Sequence, residues 1–222
     1  MSRFAYGLVL LAFCGAASSA PFQDGSFESG TPCNTFNVPA GSTLIPGWTV
    51  SVGNIDWEGA AISCGWQASD GNNSLDLVGT GGIGGIQQTF DTVPGTTYQV
   101  SFDLAGNYGA PPVIKPLAVT INGATTNYTF DTTGRSGLNM GWTTHTLTFT
   151  ATTTSSTINF VSDVTASGGT LNAGAALDNV RITVAGAPVA TQSVPLSWAH
   201  IAAALLIGIA FLLMGRRFRT KG

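Results

Sequence analysis

Few residues in this chain are equipped for chemistry, and they sit in short stretches. Asp56 and Glu58 flank Trp57. Glycoside hydrolysis needs two carboxylates at a fixed separation, which sequence spacing does not measure. No G-x-S-x-G elbow and no H-E-x-x-H pair is present. His145 lies in the alternating stretch Thr144-His145-Thr146-Leu147, where a solvent-facing structural residue is expected. Flat rings are more informative. Trp57, Trp66 and Tyr108, with Asn107 beside the last, stand among Gly, Asn and Ser. Sugars present C–H faces that stack on indole and phenol rings, and amides bond their hydroxyls. These four residues are the candidate glycan contacts. Trp48 follows Pro46-Gly47 and opens an alternating run, so it is expected in the core.

Two further stretches bear on ions and crosslinks. Asp24-Gly25-Ser26-Phe27-Glu28 and Ala176-Leu177-Asp178-Asn179-Val180 lie near opposite ends of the folded region. If the first and last strands pair, Glu28 and Asp178 approach each other and offer the hard oxygens that calcium takes. The alternative is a solvated turn acid and an ordinary strand aspartate. Cys33 and Cys64 form an even pair, most simply one disulfide in an oxidising compartment. A two-thiolate metal site is the other reading, although no histidine is near either cysteine. Gly79-Thr80-Gly81-Gly82-Ile83-Gly84 matches G-x-G-x-x-G, but a strand pattern follows it rather than a helix. A glycine-rich turn is the expected reading.

The elements that position these residues are strands. Trp48–Val52, Ser74–Val78, Ile86–Phe90, Thr97–Leu104, Leu117–Ile121, Thr126–Phe130, Thr144–Thr150, Thr157–Val161 and Ala176–Val184 carry β signals, with period-two alternation clearest at Thr97–Leu104. Pro46-Gly47, Asp70-Gly71-Asn72, Pro94-Gly95 and Asn122-Gly123 punctuate them. Asn122-Gly123 predicts a hairpin. The fold class is therefore all-β, a jelly-roll β-sandwich, within one domain.

The two ends differ from the middle. Arg3, the apolar run Ala5–Ala17 and Ser18-Ser19-Ala20 have the form of a signal peptide, so residues 1–20 are expected to be removed on export. Residues 21–186 form the ectodomain and 187–195 a linker. Residues 196–215 form one C-terminal transmembrane helix, and 216–222 a basic cytoplasmic tail with Arg216, Arg217, Arg219 and Lys221. All eleven acidic residues lie within residues 21–186, against three basic ones there (Lys115, Arg135 and Arg181). That acidic surface disfavours nucleic acid as a partner and suits neutral ligands or cations.

An ordered series of motifs carries a family resemblance. It comprises Gly25-Ser26-Phe27-Glu28-Ser29-Gly30, Pro46-Gly47-Trp48-Thr49-Val50, Asn54-Ile55-Asp56-Trp57, Trp66-Gln67-Ala68-Ser69-Asp70-Gly71-Asn72-Asn73-Ser74-Leu75-Asp76-Leu77, Gln88-Thr89-Phe90, Pro94-Gly95-Thr96-Thr97-Tyr98, Ser101–Asn107, Met140-Gly141-Trp142 and Ala176–Val180. Over nearly all of Phe22–Val184 the chain resembles the bacterial choice-of-anchor C surface proteins. Those are similar to plant cell-wall proteins with galactose-binding-like jelly rolls. The resemblance implies that fold, a surface location and, by analogy, binding to polysaccharide. It also implies structural calcium, since Glu28 and Asp178 occupy the places of acids that hold it in related carbohydrate-binding jelly rolls. Cys33 and Cys64 stand outside the pattern. The tail from Val194-Pro195-Leu196-Ser197-Trp198 onward resembles a bacterial sorting signal, which implies an exosortase-like processing enzyme as a partner. The expected function is a non-enzymatic, exported cell-surface module that binds polysaccharide of the envelope or matrix. A structural or adhesive protein with protein partners, or a weak glycoside hydrolase, is the alternative.

Overall fold

The structure is a computed structural model. It describes residues 20–32, 35–59, 65–167 and 172–186. The compact unit ends at Ala185. The cysteine pair and the stretches expected to be signal segment (before Ala20), linker, transmembrane helix and basic tail lie outside the described residues. Among the described residues no helix is long and apolar enough to cross a membrane.

The described elements are ten strands: β1 Thr35–Pro39, β2 Thr49–Gly59, β3 Asn73–Asp76, β4 Ile83–Asp91, β5 Thr97–Gly106, β6 Ile114–Ile121, β7 Ala124–Asp131, β8 Thr143–Thr150, β9 Ser155–Asp163 and β10 Ala175–Val184. One short 3-10 turn, Thr165–Ser167, precedes β10. One antiparallel sheet runs β7-β6-β9-β4-β2, and the other runs β2-β3-β10-β5-β8 with β1 also on β2. The fold is an all-β sandwich of jelly-roll type, as the strand pattern predicts. Sequence reading missed β1, whose TFNVP has no alternation and whose Asn37 takes a positive φ.

Strand β2 belongs to both sheets. Thr49–Gly53 pairs with β4, and Asp56–Gly59 pairs with β3. The switch falls at Gly53, whose φ is +57°. A Cβ there would collide with the Ile83 carbonyl, so only glycine fits.

Alternation then sorts the side chains. Leu75, Leu77, Val100, Phe102, Leu104 and Phe160 are fully buried between the sheets. Phe102 stacks edge-on against Phe160 at 5.4 Å and Tyr128 at 5.2 Å, joining one sheet to the other. Trp48 is 1% exposed and packs on Phe22, Phe27 and Phe160, as expected of a core ring. His145 differs from expectation. It pairs with Phe102 across β5 and β8, stacks on that ring at 5.6 Å and meets Tyr128 at 5.0 Å. Its position on β8 therefore puts it on the inner side, with Leu147, rather than toward solvent.

The hairpin predicted at Asn122-Gly123 is present: Ile121 pairs with Ala124, and both turn residues have positive φ. The glycine-rich stretch 79–84 is the turn into β4, with a strand after it and no helix.

Candidate functional site

The candidate site lies on the face of the β3-β10-β5 sheet that points away from the core. Ser74, Asp103 and Asp178 stand there, neighbours along their strands of the buried Leu75, Phe102 and Leu177. Residues 65–72, the connection into β3, lie across this face. Side chains fasten that segment along its length. Asp178 Oδ2 accepts the backbone N–H groups of Ser69 at 2.7 Å and Asp70 at 2.9 Å. Asp103 accepts the Ser69 hydroxyl, the Thr144 hydroxyl at 2.6 Å and the Asn179 amide at 2.8 Å. Glu28 Oε1 accepts the backbone N–H groups of Asn72 at 2.8 Å and Asn73 at 2.7 Å. Trp66 Nε1 donates to Ser74 Oγ at 2.9 Å.

A second loop, residues 132–142 before β8, closes against the first. Ser136 and Asn139 bond each other across a tight turn. The Gln67 N–H donates to Gly137 O at 2.8 Å, and Trp142 Nε1 donates to Gln67 O at 2.9 Å. Between these loops opens a cleft of about 680 Å³. Its walls are Trp66, Gln67, Ser69, Tyr108, Ser136 and Leu138, with Gly65, Ala68, Gly71 and Gly137 between them. None of these residues is charged. Tyr108 is 42% exposed and Leu138 is 70% exposed, so a ring and an apolar side chain stand at the opening.

The four expected glycan contacts separate in the structure. Trp66 and Tyr108 come together in the cleft, although Trp66 is only 5% exposed and serves as wall rather than platform. Trp57 is displaced from the expected role. It is 4% exposed, Gly30 packs on its ring, and its Nε1 donates to Phe27 O at 3.2 Å. A ring so enclosed has no face for a sugar; alternation along β2 puts it in the core with Ile55. Asn107 also turns inward. Its Nδ2 donates to Asp76 Oδ2 at 2.7 Å, and its Oδ1 accepts the Gly109 N–H at 2.8 Å. The sequence reading did not single out Gln67, Ser69, Ser136 or Leu138. Only an exposed leucine inside Arg135-Ser136-Gly137-Leu138-Asn139 could have pointed to them.

Carboxylates cluster beside the cleft but do not line it. Asp56 and Asp76 are direct partners across β2 and β3, and Glu58 is two residues on from Asp56. Burial pushes the Glu58 carboxyl up to about 8, aided by the nearby charges of Asp76 and Asp56. Burial also pushes Asp76 up to about 7, against the hydrogen bonds from Asn107, Val78 and Gly174. Asp178 rises to about 7 for the same first reason, opposed by its backbone donors.

Calcium between Glu28 and Asp178 does not fit this arrangement. Both acids reach the 69–73 segment, yet the oxygens that do so face N–H donors, which repel a cation. Among the described residues no group of three or more His, Cys, Asp or Glu side chains is placed to hold a metal. Among the described residues, the carboxylate oxygen left buried without a hydrogen-bond partner is Asp24 Oδ2, four residues before Glu28.

Fold and cleft together define a jelly-roll sandwich with an uncharged, ring-bearing groove on one sheet. The chain belongs to the family described as a protein of unknown function, DUF642, whose model matches residues 20–183. It is 31% identical over 198 residues to halomucin of Haloquadratum walsbyi, an alignment that takes in 82% of this chain but spans only 2% of that relative. Solved structures of similar fold include TmCBM61 in complex with β-1,4-galactotriose. It has 16% identity and a TM-score of 0.48, over 75% of this chain and 99% of that one. Another is the CBM22-1 xylan-binding domain of Paenibacillus barcinonensis Xyn10C. It has 18% identity and a TM-score of 0.46, over 74% and 94% of the two chains.

Proposed function

We propose that this chain is a non-catalytic surface module that binds neutral polysaccharide in the cleft between residues 65–71 and 136–138. The observation that supports this most is the lining itself. A groove of about 680 Å³ holds an exposed phenol, a second aromatic wall, hydroxyl and amide side chains, and no charge. Such a surface matches a sugar's flat C–H faces and its hydroxyls. The acidic surroundings, with eleven acids against three bases in residues 21–186, repel uronate or sulfated chains.

The reading includes export by the first 20 residues and a membrane anchor at 196–215, with the choice-of-anchor C resemblance and the sorting-signal-like tail as its support. Hydrolysis is the weaker reading, because no carboxylate lines the cleft. Calcium belongs to the reading at the 24–28 corner, where Asp24 Oδ2 is the available acceptor.

Glycan-array binding by the full chain tests the proposal, with neutral glucans, galactans and xylans beside polygalacturonate. The expected result is binding to a neutral polymer that Tyr108→Ala abolishes. Binding that is indifferent to Tyr108→Ala, or confined to the anionic polymer, overturns it. Capture of a protein partner through Leu138 in place of any glycan favours the adhesive alternative.

A further inference from the structure

We propose that Asp76, Asn107 and Lys115 are positioning residues for Tyr108, so that a buried polar network sets the width of the cleft. The inference rests on the cleft as the binding site and names what holds its exposed ring in place.

Tyr108 belongs to the loop between β5 and β6, yet its neighbours are tied down. Asn107 donates its backbone N–H to Gly174 O at 3.0 Å and its side-chain N–H to Asp76 Oδ2 at 2.7 Å. The Gly109 N–H returns to Asn107 Oδ1 at 2.8 Å. Ala110 O accepts from Lys115 Nζ at 2.7 Å, and the same ammonium donates to Ala173 O at 2.9 Å. Asp76 Oδ1 meanwhile accepts from Val78 N at 2.9 Å and Gly174 N at 3.0 Å. Asn107 and Ala110 are thus bonded to the interior and Gly109 to Asn107, and Tyr108 alone among residues 107–110 lines the groove. Its hydroxyl lies 2.9 Å from where a Cβ on Gly137 would stand, which puts the ring against the opposite loop.

Energetics support a directing role. Asp76 and Lys115 are both 0% exposed. Burying an acid and an amine is costly, and well-packed apolar side chains in such places are often neutral or stabilising. What the polar groups supply is direction: each bond fixes one backbone position of the loop. Lys115 runs beside Gly106, and its stem would fill the same space with a thioether in place of the amine.

A reciprocal exchange tests this in the full chain. Asp76→Asn alone sets an amide N–H against either the Asn107 amide or the backbone donors of Val78 and Gly174. Asn107→Asp alone sets two carboxylates about 2.7 Å apart. The double substitution restores a donor facing an acceptor. Two readouts are followed: hydrogen exchange at the Gly109 amide, and calorimetric affinity for xylotriose and β-1,4-galactotriose. Each single change is expected to speed Gly109 exchange and weaken trisaccharide binding by about tenfold, the scale of one buried hydrogen bond lost. The double change should recover most of both. Lys115→Met, which keeps the stem but leaves the Ala110 and Ala173 carbonyls without this donor, should speed exchange at Gly109. Unaltered Gly109 exchange in both single variants overturns the proposal, as does a double variant no better than either single. A parent chain that binds neither trisaccharide removes the cleft reading, and the exchange data still decide the positioning claim.

Discussion

Asp178 holds Ser69 by a 2.7 Å hydrogen bond from the Ser69 backbone N–H to the buried Asp178 carboxylate. The same oxygen takes the Asp70 N–H, while Glu28 takes those of Asn72 and Asn73. Two acids far apart in sequence thus grip one segment from two sides. Asp178→Ala removes a buried acceptor, leaves two part-buried N–H groups unpaired and should cost about 1–2 kcal/mol in urea unfolding. Glu28→Gln keeps an acceptor at an exposed site and should cost about 1 kcal/mol or less.

Trp57 and Tyr108 should behave as opposites. Trp57→Ala empties a core site and is expected to lower stability by about 3–5 kcal/mol. Tyr108→Ala should change stability by no more than about 1 kcal/mol and weaken glycan binding by at least about tenfold. Denaturation midpoints and calorimetry on the same two variants separate the roles.

Gly137 sets the gap in front of Tyr108. An added Cβ would meet the Tyr108 hydroxyl at 2.9 Å, close enough that the ring must move. Gly137 is not among the positive-φ glycines, so alanine there adds no backbone strain. Gly137→Ala should therefore reduce glycan affinity while leaving the melting temperature within a few degrees.

Stability should fall as pH rises through the neutral range. The folded-state carboxyls of Glu58, Asp76 and Asp178 lie at about 8, 7 and 7, above their ordinary values. Between their ordinary values and these raised ones the folded chain binds more protons than the unfolded chain, so the slope of stability against pH is negative there. Melting should be higher at pH 5 than at pH 8. Glu58→Gln should flatten the difference, most of all near its upper end.

The Asp24 corner can be read by chelation. The proposed function includes calcium here, and Asp24 Oδ2 is a buried carboxylate oxygen with no hydrogen-bond partner. Excess chelator should lower the melting temperature of the parent chain. Asp24→Asn should remove that sensitivity, whereas Glu28→Gln should retain it.

Alternation along β5 and the Asn122-Gly123 turn made strands and one hairpin legible, because a period of two and a positive-φ turn are local properties. So was the core place of Trp48. Trp57 shows where local reasoning stops. Its Asp and Glu neighbours look like a loop's, yet they face away from the core while the indole faces in; pairing across β3, not composition, decides that. Asn107 and Tyr108 are adjacent and equally polar in sequence. One is drawn inward by an aspartate 31 positions earlier, and the other is left facing the groove.

The chain's own order of residues thus determined an acidic, strand-built module rich in turns, with rings available for sugar. Only the tertiary structure decided which rings meet. Loops 65–72 and 132–142 are far apart in sequence; they touch because Gln67 bonds Gly137 and Trp142, while Asp178, Asp103 and Glu28 hold the first loop on the sheet. Hydrogen bonds of that kind depend on which backbone donors the fold presents, a quantity no short window of sequence contains.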